Sequence, residues 1–515
     1  RILPFKGLYL YSDEPAGAFR TNVYPVPELA NPFLGVHVTV TVDGRAKLGP
    51  TAIPCLWREQ YEGLSRFDAA EFAEVCGLGA SLFLGAGFDF RRLALAEVRK
   101  YHRPHLVARP ADLSGLQQAL AEARATGRSV IAMGAGCSYA DQIQNGQGIV
   151  IDCRGLAGVE AWDPATGRLS VRAGTTLADI LRLGLPSGWT LPGVPGSFMV
   201  TVGGAIANNV HGKDAHRFSF GRAVRAFDLM DADGRVTTVT RDGDTDLFRG
   251  VLGGMGLLGI VVAAELQLER IPSAWVEVET VRTFSLAESL EVFEHRSERD
   301  FALGWMNSLA SGARQGAGVI SFARWTEHAK AVPPVRIDTA LTVNERMFGL
   351  VPSAWVWRAG APMLRAPGLA LTNAIHHLAA IRKGRAVVPF PDFYFLYNRI
   401  NGLDEAYRPH GFAEIQALLP RGGELEICRD LLAILREERL APIFTTMKGH
   451  VADDCVLGFP GDGMSVTFGI RKPGGDRISF RAALARLFER VIAAGGRVNP
   501  SKDEFLSAGQ FRRMY

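Results

Sequence analysis

Apolar and polar residues alternate over 36–42 (VHVTVTV), and Asp43-Gly44 follows as a turn, which predicts a strand there. Tyr24-Pro25-Val26-Pro27 reads as extended, and 67–75 and 90–100 carry helical spacing. Two prolines in 101–110 (YHRPHLVARP) break the pattern, so a boundary is placed there. Next, Leu113, Leu116, Leu120 and Ala123 make one stripe at helical period, predicting a helix over Leu113–Ala125 with Asp112 as its N-cap. Strands are expected at 128–133, Ile149–Asp152, Arg168–Arg172 and 259–268, and a short helix at 176–183. A hairpin is expected to pair 226–230 with Val236–Thr240 around Ala232-Asp233-Gly234.

From Trp275–Thr283 onward the pattern changes to strands (318–323, 412–419, 464–470) alternating with long helical stretches (285–294, 424–436, 480–494). That order predicts an antiparallel sheet with helices on one face. An apolar, aromatic stretch at 341–385 interrupts it, with Arg358, Arg365, Arg382, Lys383 and Arg385 spaced through it. Two readings stand for this stretch: a mobile flap that meets a membrane, or a helical excursion packed on the core. The class is α+β, in three parts: 1–105, 106–272 and 273–515 with the insert at 341–385.

Composition narrows the function. The 515 residues are 47% hydrophobic and 21% charged, which suits a globular chain. The net charge of +4, from 57 basic and 53 acidic residues, supplies no electrostatic reason to expect nucleic acid. The six cysteines (Cys55, Cys76, Cys137, Cys153, Cys428, Cys455) form no CxxC pair and no zinc spacing with histidines, so reduced thiols in a cytoplasmic protein are expected. His376 and His377 are adjacent, so on a helix they do not share a face as ligands at i, i+4 would, and no metal is expected.

One run has neither charge nor periodicity. Residues 183–212 hold three prolines and seven glycines, which exclude a membrane helix. Within it lie Pro192-Gly193-Val194-Pro195-Gly196, Val202-Gly203-Gly204-Ala205 and Asn208-Asn209-Val210-His211-Gly212. A further loop, Gly134-Ala135-Gly136-Cys137-Ser138-Tyr139, follows a strand with no helix pattern after it. Gly254-Met255-Gly256-Leu257-Leu258-Gly259 matches GxGxxG, but a helix-like stretch precedes it and a strand follows. This inverts the order that a nicotinamide site of Rossmann type requires. Several loops that bring backbone N–H groups close to a ligand, largely free of acidic side chains, suit a large anion such as a pyrophosphate cofactor.

The segments MGAGCSYADQ (133–142), PGVPG with TVGGAIANNVHG (192–212) and GGMGLLGI (253–260) resemble the FAD-binding domain of the vanillyl-alcohol oxidase / p-cresol methylhydroxylase (PCMH) superfamily. HGKDAHRFSFG (211–221), FAEIQALLP (412–420), TMKG (446–449) and GGRVNPSKD (495–503) extend the likeness, which is nearest the decaprenylphosphoryl-ribose oxidase group. Residues 1–100 resemble instead the later part of an L-2-hydroxyglutarate dehydrogenase-type enzyme, through ILPFKGLYLY, YPVPELANPFLGVHVT, DGRAKLGPTAI and REQYEG. That family's N-terminal nucleotide segment does not precede them, and the chain starts at Arg1. A fragment of a longer fused reading frame is therefore expected, with 1–105 a partial FAD-dependent segment of D-amino-acid-oxidase (DAO) type.

The resemblance implies an FAD cofactor. Gly134, Ala135, Gly136, Ser138 and Tyr139 would hold its pyrophosphate region. Gly193, Pro195, Gly196, Val202, Gly203, Gly204, Ala205, Asn208 and Gly212 would line its adenosine and ribityl side, and Gly256, Gly259 and Ile260 would close over it. Each glycine taken singly is also explained by a turn. Cys137 stands where many members carry a histidine bound covalently to the flavin, so FAD is expected to be non-covalent. His211, Lys448, Lys502, Gln416 and Tyr139 are the implied catalytic positions, against the alternatives of a structural histidine, surface lysines and an ordinary strand face. Phe412, Glu414 and Gln416 alternate along a strand and share one face, which would line a sugar pocket. Ser465 stands where the mycobacterial-type relatives have cysteine, and Asn499 where an aromatic is common.

The implied activity is hydride transfer from a sugar-type secondary alcohol, such as a polyprenyl-phosphate ribose, to flavin N5. An NAD(P)H-dependent reductase partner would complete an epimerisation. The alternatives are a sugar-lactone (aldonolactone) oxidase, L-2-hydroxyglutarate oxidation by a fused enzyme, and a degenerate flavin-binding fragment. The expected location is the cytoplasm, with peripheral contact at the inner membrane.

Overall fold

A computed structural model describes the backbone of 5–11, 37–40 and 46–54, and residues 106–515 except 147, 328–334, 344, 348, 349, 381–383, 400, 401, 409, 475 and 476. The chain divides into two compact units, Arg1–Arg103 and Pro104–Tyr515. In the first, Phe5–Tyr11, Ala46–Pro54 and His37–Val40 form an antiparallel three-stranded sheet in that order. The strand expected at 36–42 is His37–Val40. The readings at 24–27, 67–75 and 90–100 lie outside the described residues.

The second unit starts with a small parallel sheet, Leu106–Ala108, Ile149–Asp152 and Val130–Met133 in spatial order. Its first crossover is the helix Leu113–Ala125, where the Asp112 side chain accepts from the Gly115 N–H at 2.8 Å. Leu116, Leu120 and Ala123 of the expected stripe pack on Ile149 and Ile151. A five-stranded antiparallel sheet follows, in the order Val236–Thr240, Val224–Met230, Ile260–Gln267, Arg168–Arg172, Val159–Asp163.

The rest is organised on an eight-stranded antiparallel sheet. Its order is Arg385–Pro389, Trp275–Thr283, Gly318–Trp325, Phe301–Met306, Pro442–His450, Gly463–Arg471, Phe412–Pro420, Arg497–Val498. The strand period of two divides its residues between faces. Ala413, Ile415, Ala417 and Leu419 pack with Val466 and Phe468 beneath Ile427, Leu431 and Leu435 of the helix Glu424–Glu437. Burying each such leucine or isoleucine contributes roughly 1.5–3 kcal/mol. The alternate residues Glu414, Gln416, Ser465, Thr467, Thr446 and Lys448 are left for the opposite face. Register pairs Gln416 with Thr467, Thr467 with Thr446, and Ser465 with Lys448. The helix Glu424–Glu437 thus lies on the side away from these polar residues.

Another hydrophobic cluster joins Val171, Leu181, Val202, Phe220 and Phe227 to Val276, Phe301, Phe390 and Tyr394. The parts before and after residue 272 therefore share one core.

Val202-Gly203-Gly204-Ala205, expected as a loop, is instead the start of a short helix, Val202–Ala207. Thr201 caps it, accepting from the Gly204 N–H at 3.4 Å, while Val202, Ala205 and Ile206 sit at i, i+3 and i+4 in the core. The GxGxxG stretch is a helix-to-strand turn between Thr245–Val251 and Ile260–Gln267, as the inverted order predicts. Gly256 (φ +75°) and Gly259 (φ +146°) occupy backbone conformations that other residues rarely adopt.

Candidate active site

A cavity of about 1340 Å³ lies between the glycine-rich loops and the polar face of the eight-stranded sheet. The loop wall comprises residues from 130–143, 195–213 and 251–261, and none of the lining residues from these segments is acidic. The opposite wall includes Glu414, Phe444, Thr446, Lys448, Asn499 and Lys502.

The glycines of the loop wall exist for close approach. A Cβ on Gly134 would fall 2.2 Å from Thr201 Oγ1, and one on Gly212 would fall 1.9 Å from both the Tyr394 hydroxyl and the Val194 carbonyl oxygen. At Gly256 nothing lies within 4 Å of such a Cβ, so that backbone faces open space. A long wall of main chain without acidic groups fits the pyrophosphate and ribityl parts of FAD. Gly134, Ala135, Gly136, Cys137, Ser138 and Tyr139 line the cavity, as do Pro195, Gly196, Gly203, Gly204, Asn208, His211, Gly212, Gly256, Gly259 and Ile260.

Three expected cofactor positions do not line it. Val202 and Ala205 are fully buried, because the helix they open turns them into the core. Gly193 (φ +67°) is packed so that a Cβ would meet the backbone of Ser219 and Phe220 at 2.4 Å, and its N–H donates to Asp214 Oδ2 at 2.8 Å. Gly193 shapes the turn that leads to Pro195.

His211 is buried, and its Nε2 lies 3.0 Å from Gln416 Nε2. Gln416, itself outside the cavity wall, also donates to Ser465 Oγ at 3.0 Å and accepts from Asn499 Nδ2 at 2.9 Å. Ser465 Oγ is 2.8 Å from His450 Nε2. The His211 and His450 rings meet edge to face at 4.8 Å, and Phe459 stacks on His211 at 5.4 Å. Burial, with the positive charge of nearby lysines, holds His211 well below the usual histidine range and His450 at about 3, so both imidazoles are neutral.

Two lysines share the wall. Lys502 donates to Glu414, whose side chain is wholly buried, and stands 4.8 Å from the centre of the Tyr139 ring. Lys448 makes no hydrogen bond or ion pair among the described residues. Burial pushes it down to about 7, and Lys502 adds to this against the opposing pull of Glu414 and Asp214. At neutral pH a good fraction of Lys448 is a free amine, the state that accepts a proton.

Sequence reasoning missed Lys213, Tyr394 and His450. Lys213 lines the cavity, and its Nζ donates to the backbone carbonyls of Phe393 and Tyr394, while burial pushes its pKa well below the ordinary lysine value. The Tyr394 hydroxyl lies 2.8 Å from Asp214 Oδ1 and accepts from the Lys213 N–H. Lys213 sits inside the quoted HGKDAH segment, and His450 is two residues after Lys448 on one strand face, so the period of two could have found it. Tyr394 had no local signal.

These features define a flavoprotein: a main-chain cradle for FAD facing a polar sheet wall with lysines and a neutral histidine. A family profile described as an FAD binding domain matches residues 104–240. The chain belongs to the PCMH-type FAD-binding oxidoreductase family, and it is an FAD-dependent oxidoreductase. Over 407 residues it is 29% identical to decaprenylphosphoryl-β-D-ribose oxidase of Mycolicibacterium smegmatis, covering 76% of this chain and 84% of that one. Over 363 residues it is 31% identical to an uncharacterized protein in the mprA 5' region of Streptomyces coelicolor, covering 66% of this chain and 92% of the relative. Over 76 residues it is 43% identical to mitochondrial L-2-hydroxyglutarate dehydrogenase of Mus musculus, covering 15% of this chain and 16% of that enzyme.

Proposed function

We propose that this protein oxidises a secondary alcohol of a sugar-type substrate, a polyprenyl-phosphate ribose foremost, to the ketone. The observation that carries the reading is Lys448, without a hydrogen bond or ion pair among the described residues, on a cavity wall that faces the glycine cradle. FAD, when bound, supplies the acceptor for the hydride leaving the carbinol carbon. The hydroxyl proton goes to the Lys448 amine, so two electrons and one hydrogen leave as hydride and the other hydrogen as a proton. Lys502, Lys213 and Tyr139 orient the sugar and its phosphate, and His211 holds the reacting hydroxyl. FAD is held non-covalently, with Cys137 on the cradle wall as an ordinary thiol.

The cavity is also lined by the inner side of the helix Ala366–Ala379 and its end, through Thr372, His376 and Ala380. The outer side exposes Leu371, Ile375 and Leu378, and Trp355 and Leu350 are exposed nearby in sequence. An apolar stripe over the cavity roof supports peripheral contact with a membrane that holds a lipid-linked substrate. Among the described residues no helix is long and apolar enough to cross one. The location proposed is cytoplasmic, at the inner face of the membrane, with an NAD(P)H-dependent reductase as partner. Residues 1–105 are read as a DAO-type segment related to L-2-hydroxyglutarate dehydrogenases, 106–272 as the FAD-binding part and 273–515 as the substrate part.

The test is anaerobic mixing of holoenzyme with polyprenylphosphoryl ribose, free ribose, aldonolactones and L-2-hydroxyglutarate, following flavin absorbance. Bleaching by the lipid-linked sugar supports the reading. Bleaching by another class alone, or by none, overturns it.

A further inference from the structure

The hydrogen bonds around Gln416 have a direction, and a backbone group sets it. The Ser501 N–H donates to Asn499 Oδ1 at 3.0 Å. A backbone N–H is a donor in every state, so the Asn499 amide cannot turn over, and its Nδ2 must face Gln416 Oε1 at 2.9 Å. Gln416 in turn must present its NH2 to the other side, where its two hydrogens meet His211 Nε2 and Ser465 Oγ, both at 3.0 Å. His211 Nε2 is therefore an acceptor, and the ring carries its proton on Nδ1.

We infer that Asn499, anchored by the Ser501 backbone, is a positioning residue that locks His211 through Gln416 into the neutral Nδ1–H tautomer. His211 then has no free lone pair. It acts on the substrate as a hydrogen-bond donor, and the proton of the alcohol is left to Lys448. Ser465, already a recipient from Gln416, carries the network on to the buried His450. The consequence for Lys448 rests on the alcohol-oxidising reading of the cavity; the tautomer does not.

The experiment is long-range ¹H–¹⁵N correlation on holoenzyme labelled with ¹⁵N-histidine at neutral pH. The His211 signals are assigned by their loss in His211→Gln. The expected wild-type pattern is a protonated Nδ1 and a bare Nε2. In Asn499→Asp the carboxylate cannot donate, so Gln416 turns its NH2 toward it, its oxygen faces His211, and the proton moves to Nε2. Gln416→Glu, which offers only acceptors, is expected to give the same inversion. FAD uptake and melting temperature verify that each variant is folded. A wild-type His211 protonated on Nε2 or on both nitrogens overturns the inference. So does a folded Asn499→Asp or Gln416→Glu protein that keeps the wild-type pattern. Should both variants fail to fold, the wild-type spectrum alone decides. Absence of bleaching by any sugar would defeat the functional proposal without touching this result.

Discussion

The ammonium of Lys502 is hydrogen-bonded to the carboxylate of Glu414, whose side chain has no exposure to solvent. Glu414 comes from the polar face of the strand Phe412–Pro420, and Lys502 from the loop after Arg497–Val498, so the pair ties the C-terminal loop to the sheet. The second carboxylate oxygen, Oε2, is buried without a hydrogen-bond partner among the described residues. The pair is thus held at the cavity wall at a desolvation cost.

Removing one partner of a buried pair leaves the other uncompensated, which costs about 3–5 kcal/mol. Lys502→Met is expected to destabilise the protein by roughly that amount, and Lys502→Met/Glu414→Leu to recover most of it. Urea unfolding of the two singles and the double measures the coupling. A cost below about 0.5 kcal/mol for Lys502→Met, the level of a surface pair, would contradict the burial argument.

Lys448 has its folded value pushed down to about 7 from an ordinary 10.5. Between those values the unfolded chain holds the proton and the folded chain does not, so stability rises with pH from about 7 to 10.5. Below about 7 the folded protein must carry the buried charge. Lys448→Met is expected to raise stability at pH 6 by on the order of 2–4 kcal/mol and to flatten the rise. Melting curves across pH 6–10 read both effects.

The same group sets the pH dependence of the half-reaction under the proposed mechanism. The rate of anaerobic flavin reduction should climb tenfold per unit below the Lys448 value and level off above about 7. Lys448→Met should lower the plateau by about 10²–10⁴ and abolish the climb. A wild-type rate that falls as pH rises through 7 would point to a proton donor instead.

Gly134→Ala places a methyl 2.2 Å from the Thr201 hydroxyl that caps the helix Val202–Ala207. Relief of that overlap costs about 1–3 kcal/mol and moves the cradle, so FAD affinity should fall more than tenfold. Fluorescence titration of the apoprotein with FAD checks this. Gly360→Ala, with nothing within 4 Å of the added carbon, should leave affinity unchanged.

Non-covalent FAD predicts that acid precipitation sends the yellow colour into the supernatant. Colour retained in the pellet would make Cys137, on the cradle wall, the candidate anchor.

Much of this architecture is legible in the residue pattern, for reasons visible in particular elements. The helix Leu113–Ala125 has a cap and an apolar stripe, and the strand Phe412–Pro420 alternates cleanly, so both declare themselves locally. The uncharged run 183–212 points to a ligand because a long chain segment without charge needs another reason to exist. The helix Val202–Ala207 escaped notice because two glycines mask the threonine cap and the i, i+3, i+4 apolar spacing. Val202 and Ala205 were expected at the cofactor for their place in a motif, and that same helix turns them into the core.

By itself, the sequence determined the α+β class, the FAD cofactor and the glycine-rich loops, lysines and histidine that line the cavity. These depend on local periodicity and on motifs contiguous in the chain. Only the tertiary structure decided how His211, Gln416, Ser465, His450 and Asn499 meet. They come from a loop, three strands and a C-terminal turn as far as 288 residues apart in sequence, so no local pattern encodes their contacts. It also decided that Lys448 has no hydrogen bond or ion pair among the described residues while Lys502 is paired with Glu414. Burial and charge neighbours are set by packing, and packing is what gives two lysines of the same chemistry different surroundings, one with its pKa pushed down by burial and one paired with Glu414.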